Sequence, residues 1–208
     1  MIAIFGGSFD PIHNGHLEVA FQVRDRLSLK VFFALTERNP LKKTPLLSYK
    51  ERFNLLKIVI SNFQNFFLLK ENYVYAIDLI LKVKKIFKKV YFVLGLDSFL
   101  TIKKWKNYEN LLKLCNFIVC SREDFDKKSL EKFLTNLKID KYTFLLDYQQ
   151  KHIPKKEKVI FLKIPRLEIS STLIKKYLKE GLDIYPLVPE KVWKFLKIKF
   201  KGGKEINV

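Results

Sequence analysis

At 208 residues the chain is long enough for one α/β domain with a substantial core, and the apolar share of 48% with 14% aromatics excludes global disorder. No apolar run approaches the length of a membrane span, and no basic segment precedes an apolar one at the start, so neither membrane insertion nor secretion is expected. The formal net charge of +19 invites a polyanion partner, but residues 1–28 are slightly acidic and the lysines scatter over helix faces, without an arginine-rich arm or a stacking motif.

In chain order, residues 1–5 form an apolar run of strand length that ends in Gly6-Gly7-Ser8-Phe9-Asp10-Pro11-Ile12-His13-Asn14-Gly15-His16. Leu17, Ala20, Phe21 and residues 23–27 then recur at helical spacing up to Ser28, and 30–35 reads as a second buried strand. Strand, helix and strand in about 35 residues make a βαβ unit, hence a parallel pair. Residues 36–47 carry Pro40 and Pro45 and read as a mobile loop beside the strand ends. Ser48 with Glu51 three residues on predicts a capping box, opening a helix to about Ile60. Strands follow at 66–70, 89–94, 116–120, 142–146 and 159–162, and helices at 74–87, 107–114, 126–137, 171–179 and 189–197. Residues 147–158 are polar enough for a long loop. This alternation predicts a doubly wound α/β domain over 1–200, with a small helical portion from about 165 and a tail at 201–208. Cys115 and Cys120 fit neither a zinc site nor a disulfide framework, and read as small buried apolar residues in a reducing cytoplasm.

Three stretches carry chemistry. A strand, a glycine turn and a helix start present backbone N–H groups to phosphate, and Gly6 and Gly7 let backbone approach a ligand closely. Two of the three histidines, His13 and His16, lie at that helix entry, where both imidazoles can face the same pocket. The alternative is a plain turn bearing two surface histidines. The second stretch, Gly95-Leu96-Asp97 after a buried strand and followed by Trp105, lies at a carboxyl edge of the sheet; by itself it fits a turn and core packing equally well. The third, Ile169-Ser170-Ser171-Thr172 up to Lys175, offers a helix cap that also leaves N–H groups and hydroxyls for an anion.

GGSFDPIHNGH resembles the signature of the nucleotidyltransferase superfamily with a His-x-Gly-His motif. Residues 92–99 with Trp105 and the stretch ending in Ser121-Arg122 resemble its nicotinate-nucleotide adenylyltransferase branch, and Ile169-Ser170-Ser171-Thr172-Leu173-Ile174-Lys175 resembles the family's Ile-Ser-Ser-Thr-x-Ile-Arg. The resemblance implies a Rossmann-like sheet of the nucleotidylyl-transferase type. It implies adenylyl transfer from ATP to nicotinate mononucleotide in NAD biosynthesis, with magnesium carried by the triphosphate and no protein metal cage. It sets His13 and His16 on the triphosphate as the catalytic pair. It sets Gly6, Gly7, Ser8, Phe9, Gly15, Gly95, Asp97, Ile169, Ser170, Ser171, Thr172 and Lys175 around ATP. Ser8, Lys42, Tyr75, Trp105 and Arg122 fall to the acceptor. Three departures stand out: lysine replaces the family arginine at 175, Leu41 stands where the family has histidine, and residues 74–79 lack the family's hydroxyls. Nicotinamide mononucleotide or phosphopantetheine as acceptor, a non-enzymatic nucleic-acid-binding role and a homo-oligomer remain as alternatives.

Overall fold

The computed structural model describes residues 1–38, 40, 44–147 and 157–200. Seven strands, β1 (Ile2–Gly7), β2 (Lys30–Leu35), β3 (Phe66–Leu68), β4 (Val90–Gly95), β5 (Asn116–Ser121), β6 (Tyr142–Leu145) and β7 (Val159–Lys163), form one sheet in the order β3-β2-β1-β4-β5-β7-β6. Every neighbouring pair is parallel. The central strands are apolar on both sides because both faces are covered, as a parallel sheet requires.

Alternation within each strand sorts its side chains between two cores. Ala3, Phe5, Tyr91, Val93, Ile118 and Cys120 face α1 (Asn14–Leu27), α2 (Tyr49–Ile60), α7 (Ser171–Lys179) and α8 (Glu190–Lys199). Ile2, Ile4, Val90, Phe92, Phe117 and Val119 face α3 (Ala76–Lys84), α4 (Leu96–Leu100), α5 (Tyr108–Leu114) and α6 (Lys127–Asn136). The chain winds outward from β1 to β3 and then returns to lay β4 against the other side of β1. Strand order reverses there, and the carboxyl ends of β1 and β4 flank that switch point, the place where open α/β sheets bind ligands.

The expected elements are present with shifted ends. The Ser48–Glu51 capping box forms, and α7 spans the expected residues. Helix α3 is shorter than 74–87, since Tyr75 is its extended cap; Ile77, Leu79, Ile80 and Val83 face the core, and Leu81 is 49% exposed. The stretch after Gly95 is a turn of helix, α4, rather than a loop. In the expected 36–47 loop, Thr36 bridges to Tyr73, while Asn39, Leu41, Lys42 and Lys43 lie outside the described residues. So do most of the expected 147–158 loop and the 201–208 tail. Cys115 and Cys120 are buried free thiols, which burial pushes up to about 12.

Candidate active site

At the mouth of β1, α1 opens with a reciprocal cap made by two imidazoles. His13 Nδ1 accepts from the His16 N–H and His16 Nδ1 accepts from the His13 N–H, both at 3.3 Å. The rings stack with centroids 3.6 Å apart and 23° between planes. Since each Nδ1 is an acceptor, the neutral rings carry their protons on Nε2, so each offers an N–H donor on the edge away from the cap. His13 is buried, and that burial, reinforced by the Arg122 guanidinium, lowers its pKa to about 3. It is therefore a neutral donor at physiological pH. Phe9, at φ 43°, lies beneath this pair: its ring is 1% exposed and sits 5.0 Å from the His16 ring, edge on. The Phe9 side chain thus props His16 from the core side, leaving its backbone as the part able to face a nucleotide.

Gly15 is explained by what crowds it. A Cβ there would stand 3.0 Å from Arg122 Nη2 and 3.1 Å from His13 Nδ1. Arg122, just past β5, donates from Nη1 to the carbonyls of Leu167 (2.7 Å) and Ile169 (2.8 Å). It therefore ties the segment leading into α7 to the opening turn of α1. Ser170 caps α7 by accepting from the Leu173 N–H at 3.1 Å, so the amino ends of α1 and α7 are held close to one guanidinium. Lys175 pairs with Asp10 at 2.5 Å. The two Asp10 oxygens also accept from the Leu46 and Leu47 N–H groups, at 2.8 and 2.9 Å, which makes Asp10 a loop-ordering residue. Asn14 binds the Leu187 and Pro186 carbonyls, which pins the 184–188 stretch against the same turn.

On the other side of β1 the site is aromatic. A Cβ on Gly6 would meet Tyr73 Oη at 2.6 Å and Phe92 Cζ at 2.7 Å, so only glycine fits. Trp105 stands edge-on to Phe92 with centroids 6.1 Å apart, and Lys106 lies 4.3 Å over the Tyr75 ring. Gly95 is exposed at φ −75° with nothing within 4 Å of a Cβ, so neither backbone nor packing demands glycine there. Asp97 lies exposed in the first turn of α4.

Most of the expected residues thus gather at one end of the sheet, in two groups. His13, His16, Gly15, Arg122, Ile169, Ser170 and Lys175 form a cationic, donor-rich group around the amino ends of α1 and α7. Gly6, Tyr75 and Trp105 form an aromatic group between β1 and β4. Arg122, expected on the acceptor, sits against the histidine pair. Lys42 lies outside the described residues. Sequence reasoning passed over Arg52, Tyr73, Asn14 and Lys106. Among the described residues no three His, Cys, Asp or Glu groups meet as a metal cage. An open depression lined by Arg24, Ser28, Lys30 and Asn65 lies at the amino end of β2, away from both histidines, amid solvated charges.

A parallel sheet with a glycine bend and two helix amino ends at its switch point is the architecture of a nucleotide-binding α/β protein. Residues 4–177 match the cytidylyltransferase-like family, to which the chain belongs. Within it the chain is similar to proteins named "Probable nicotinate-nucleotide adenylyltransferase" from Clostridium tetani, at 34% identity over 94% of this chain and 95% of that one. The same name is carried by a Hydrogenobaculum protein at 34% identity, covering 94% of each chain. The fold also matches the Plasmodium falciparum nicotinic acid mononucleotide adenylyltransferase complexed with NaAD, with a TM-score of 0.69 and 23% identity over 97% and 96% of the two chains. The chain is thus placed in the nicotinate-nucleotide adenylyltransferase branch, as an enzyme.

Proposed function

We propose that this enzyme transfers the adenylyl group of ATP to nicotinate mononucleotide, giving deamido-NAD and pyrophosphate. The observation that carries the reading is the stacked, mutually capped histidine pair, whose two Nε2 donors sit at the amino end of α1 beside Arg122. An acceptor phosphate oxygen attacks the α-phosphorus; the bond from α-phosphorus to the bridging oxygen breaks, and pyrophosphate leaves with that electron pair. The attacking oxygen is already anionic, so no general base is needed and catalysis rests on positioning and charge stabilisation.

In this reading the triphosphate lies on the cationic side. His13 and His16 donate to phosphoryl oxygens as charge develops on them, and neutral donors serve because their orientation is fixed beforehand by the cap. The N–H groups around Gly7 and Ser8 cradle phosphate, and α7 presents Ser170, Ser171 and Thr172. Lys175 adds a point charge in place of the arginine fork. The nicotinate ring takes the aromatic side, between Tyr75 and Trp105. The nucleotide enters as its magnesium complex, the ion being held by substrate oxygens and water, as Mg2+ favours. Both substrates are soluble nucleotides, which sets the reaction in the cytoplasm.

Pyrophosphate release measured with ATP, magnesium and nicotinate mononucleotide tests this, with nicotinamide mononucleotide and phosphopantetheine as parallel acceptors. Turnover fastest with the nicotinate form is the expected result; turnover confined to phosphopantetheine would overturn it.

A further inference from the structure

Arg52, on the first turn of α2, is 1% exposed, and among the described residues its guanidinium hydrogen-bonds to main-chain carbonyls alone. Nη1 donates to Ser8 O (2.8 Å) and Thr36 O (3.0 Å), Nη2 to Glu37 O (2.9 Å) and Nε to Leu47 O (3.2 Å). These carbonyls belong to three separate segments: the glycine loop after β1, the stretch after β2, and the stretch before α2. The Leu47 residue is gripped at both its polar groups, its carbonyl by Arg52 and its N–H by Asp10.

Burying a cation without a hydrogen-bonded carboxylate is costly, and an apolar side chain of similar volume is often no less stable. What only a planar fork supplies is fixed directions to several acceptors at once. With the Ser8 carbonyl drawn toward α2, the trans peptide turns the Phe9 N–H the opposite way, away from the guanidinium. We infer that Arg52 is a positioning residue for the glycine loop of the site. It fixes the Ser8 peptide and the stretch after β2 relative to each other, without touching substrate.

The inference rests on the reading above, and its test separates the two. Arg52→Lys keeps the charge and loses the fork. It is expected to lower kcat/KM for nicotinate mononucleotide at least tenfold at a temperature where the variant is still folded, because the Ser8 peptide loses its fixed direction. A smaller loss, whatever the change in Tm, would overturn the inference. Amide hydrogen exchange without nucleotide, compared between wild type and Arg52→Lys, needs no known acceptor. The amides of Thr36, Glu37, Leu46 and Leu47, bonded to Gly7 O, Tyr73 O and Asp10, are expected to exchange at least tenfold faster in Arg52→Lys than in wild type, with the amides of β4 and β5 unchanged. Unchanged exchange of these amides in the variant sinks the clamp even where the enzyme reading stands. If nicotinate mononucleotide is not turned over, that reading falls and exchange still decides the clamp.

Discussion

The two histidines differ in what surrounds them, and that difference separates their roles. His16 stands edge-on to the ring of Phe9, and its Nδ1 is committed to the cap, so in the proposed reaction Nε2 is the nitrogen that meets developing charge. His16→Ala is expected to lower kcat by about 30-fold or more, the equivalent of ~2 kcal/mol for one oriented donor. Steady-state kinetics at saturating ATP and acceptor measure this, and near wild-type turnover would remove His16 from the mechanism. His13 carries a stability signature as well. Its folded pKa of about 3 lies below the unfolded value of 6.5, so between these limits the unfolded chain binds the extra proton. The contribution is fully present above about 6.5 and is lost as pH falls, at up to about 1.4 kcal/mol per pH unit. Urea unfolding at pH 7.5, 6 and 5 should show that decline, and His13→Asn should flatten it. At this scale the histidine pair was legible because two of three histidines fall in one motif. Arg52 was not, since a lone arginine on a helix reads as a surface cation. Its signal was rarity: only six of the 40 basic residues are arginines, and Arg26, Arg52 and Arg122 each bind two or more carbonyls.

At the scale of elements, the glycines record distances between strands and helices that spacing alone cannot give. Gly6 is closed in by Tyr73 from beyond β3 and by Phe92 from β4. Gly6→Ala is expected to cost ~1–3 kcal/mol through overpacking. Tyr73→Phe in the same chain should recover part of it by removing the hydroxyl nearest the new methyl, since the two positions are in contact. Denaturant midpoints of the two single variants and the double variant form the cycle; strictly additive losses would show that Tyr73 is not what excludes the side chain. Helix starts were legible where a cap had its own chemistry. Ser48 with Glu51 and Ser170 are side-chain caps. Tyr75 and Gly95 cap α3 and α4 without a side-chain bond, and there the expected boundary drifted or the helix was missed. Ser170→Ala is expected to destabilise the fold by about 1 kcal/mol and raise the KM for ATP, read by thermal unfolding and by kinetics respectively.

For the whole molecule, the charge of +19 spreads far beyond the site. A positive field speeds the arrival of triphosphate without specifying it. Specific binding to the folded state should instead appear as linkage: magnesium–ATP at about 100 times its Kd raises unfolding free energy by about 2.7 kcal/mol. Calorimetry against nucleotide concentration measures that, and duplex DNA at 0.15 M salt should give no comparable shift. A larger shift from DNA would restore the nucleic-acid reading.

Local order determined a good deal by itself. The period of apolar residues determined the alternation of strand and helix, and the run from Gly6 to His16 marked the glycine bend and the histidine-capped helix start, because both depend on neighbours along the chain. Which faces meet was decided only by tertiary structure. The sheet order puts β4 beside β1, so Phe92 and Trp105 close one flank of the glycine bend. It also brings Arg122 from β5 against an imidazole 109 positions earlier, and Arg52 under the Ser8 carbonyl. Such contacts arise when two apolar faces bury each other, and the energy that selects them comes from packing, which no short stretch of sequence contains.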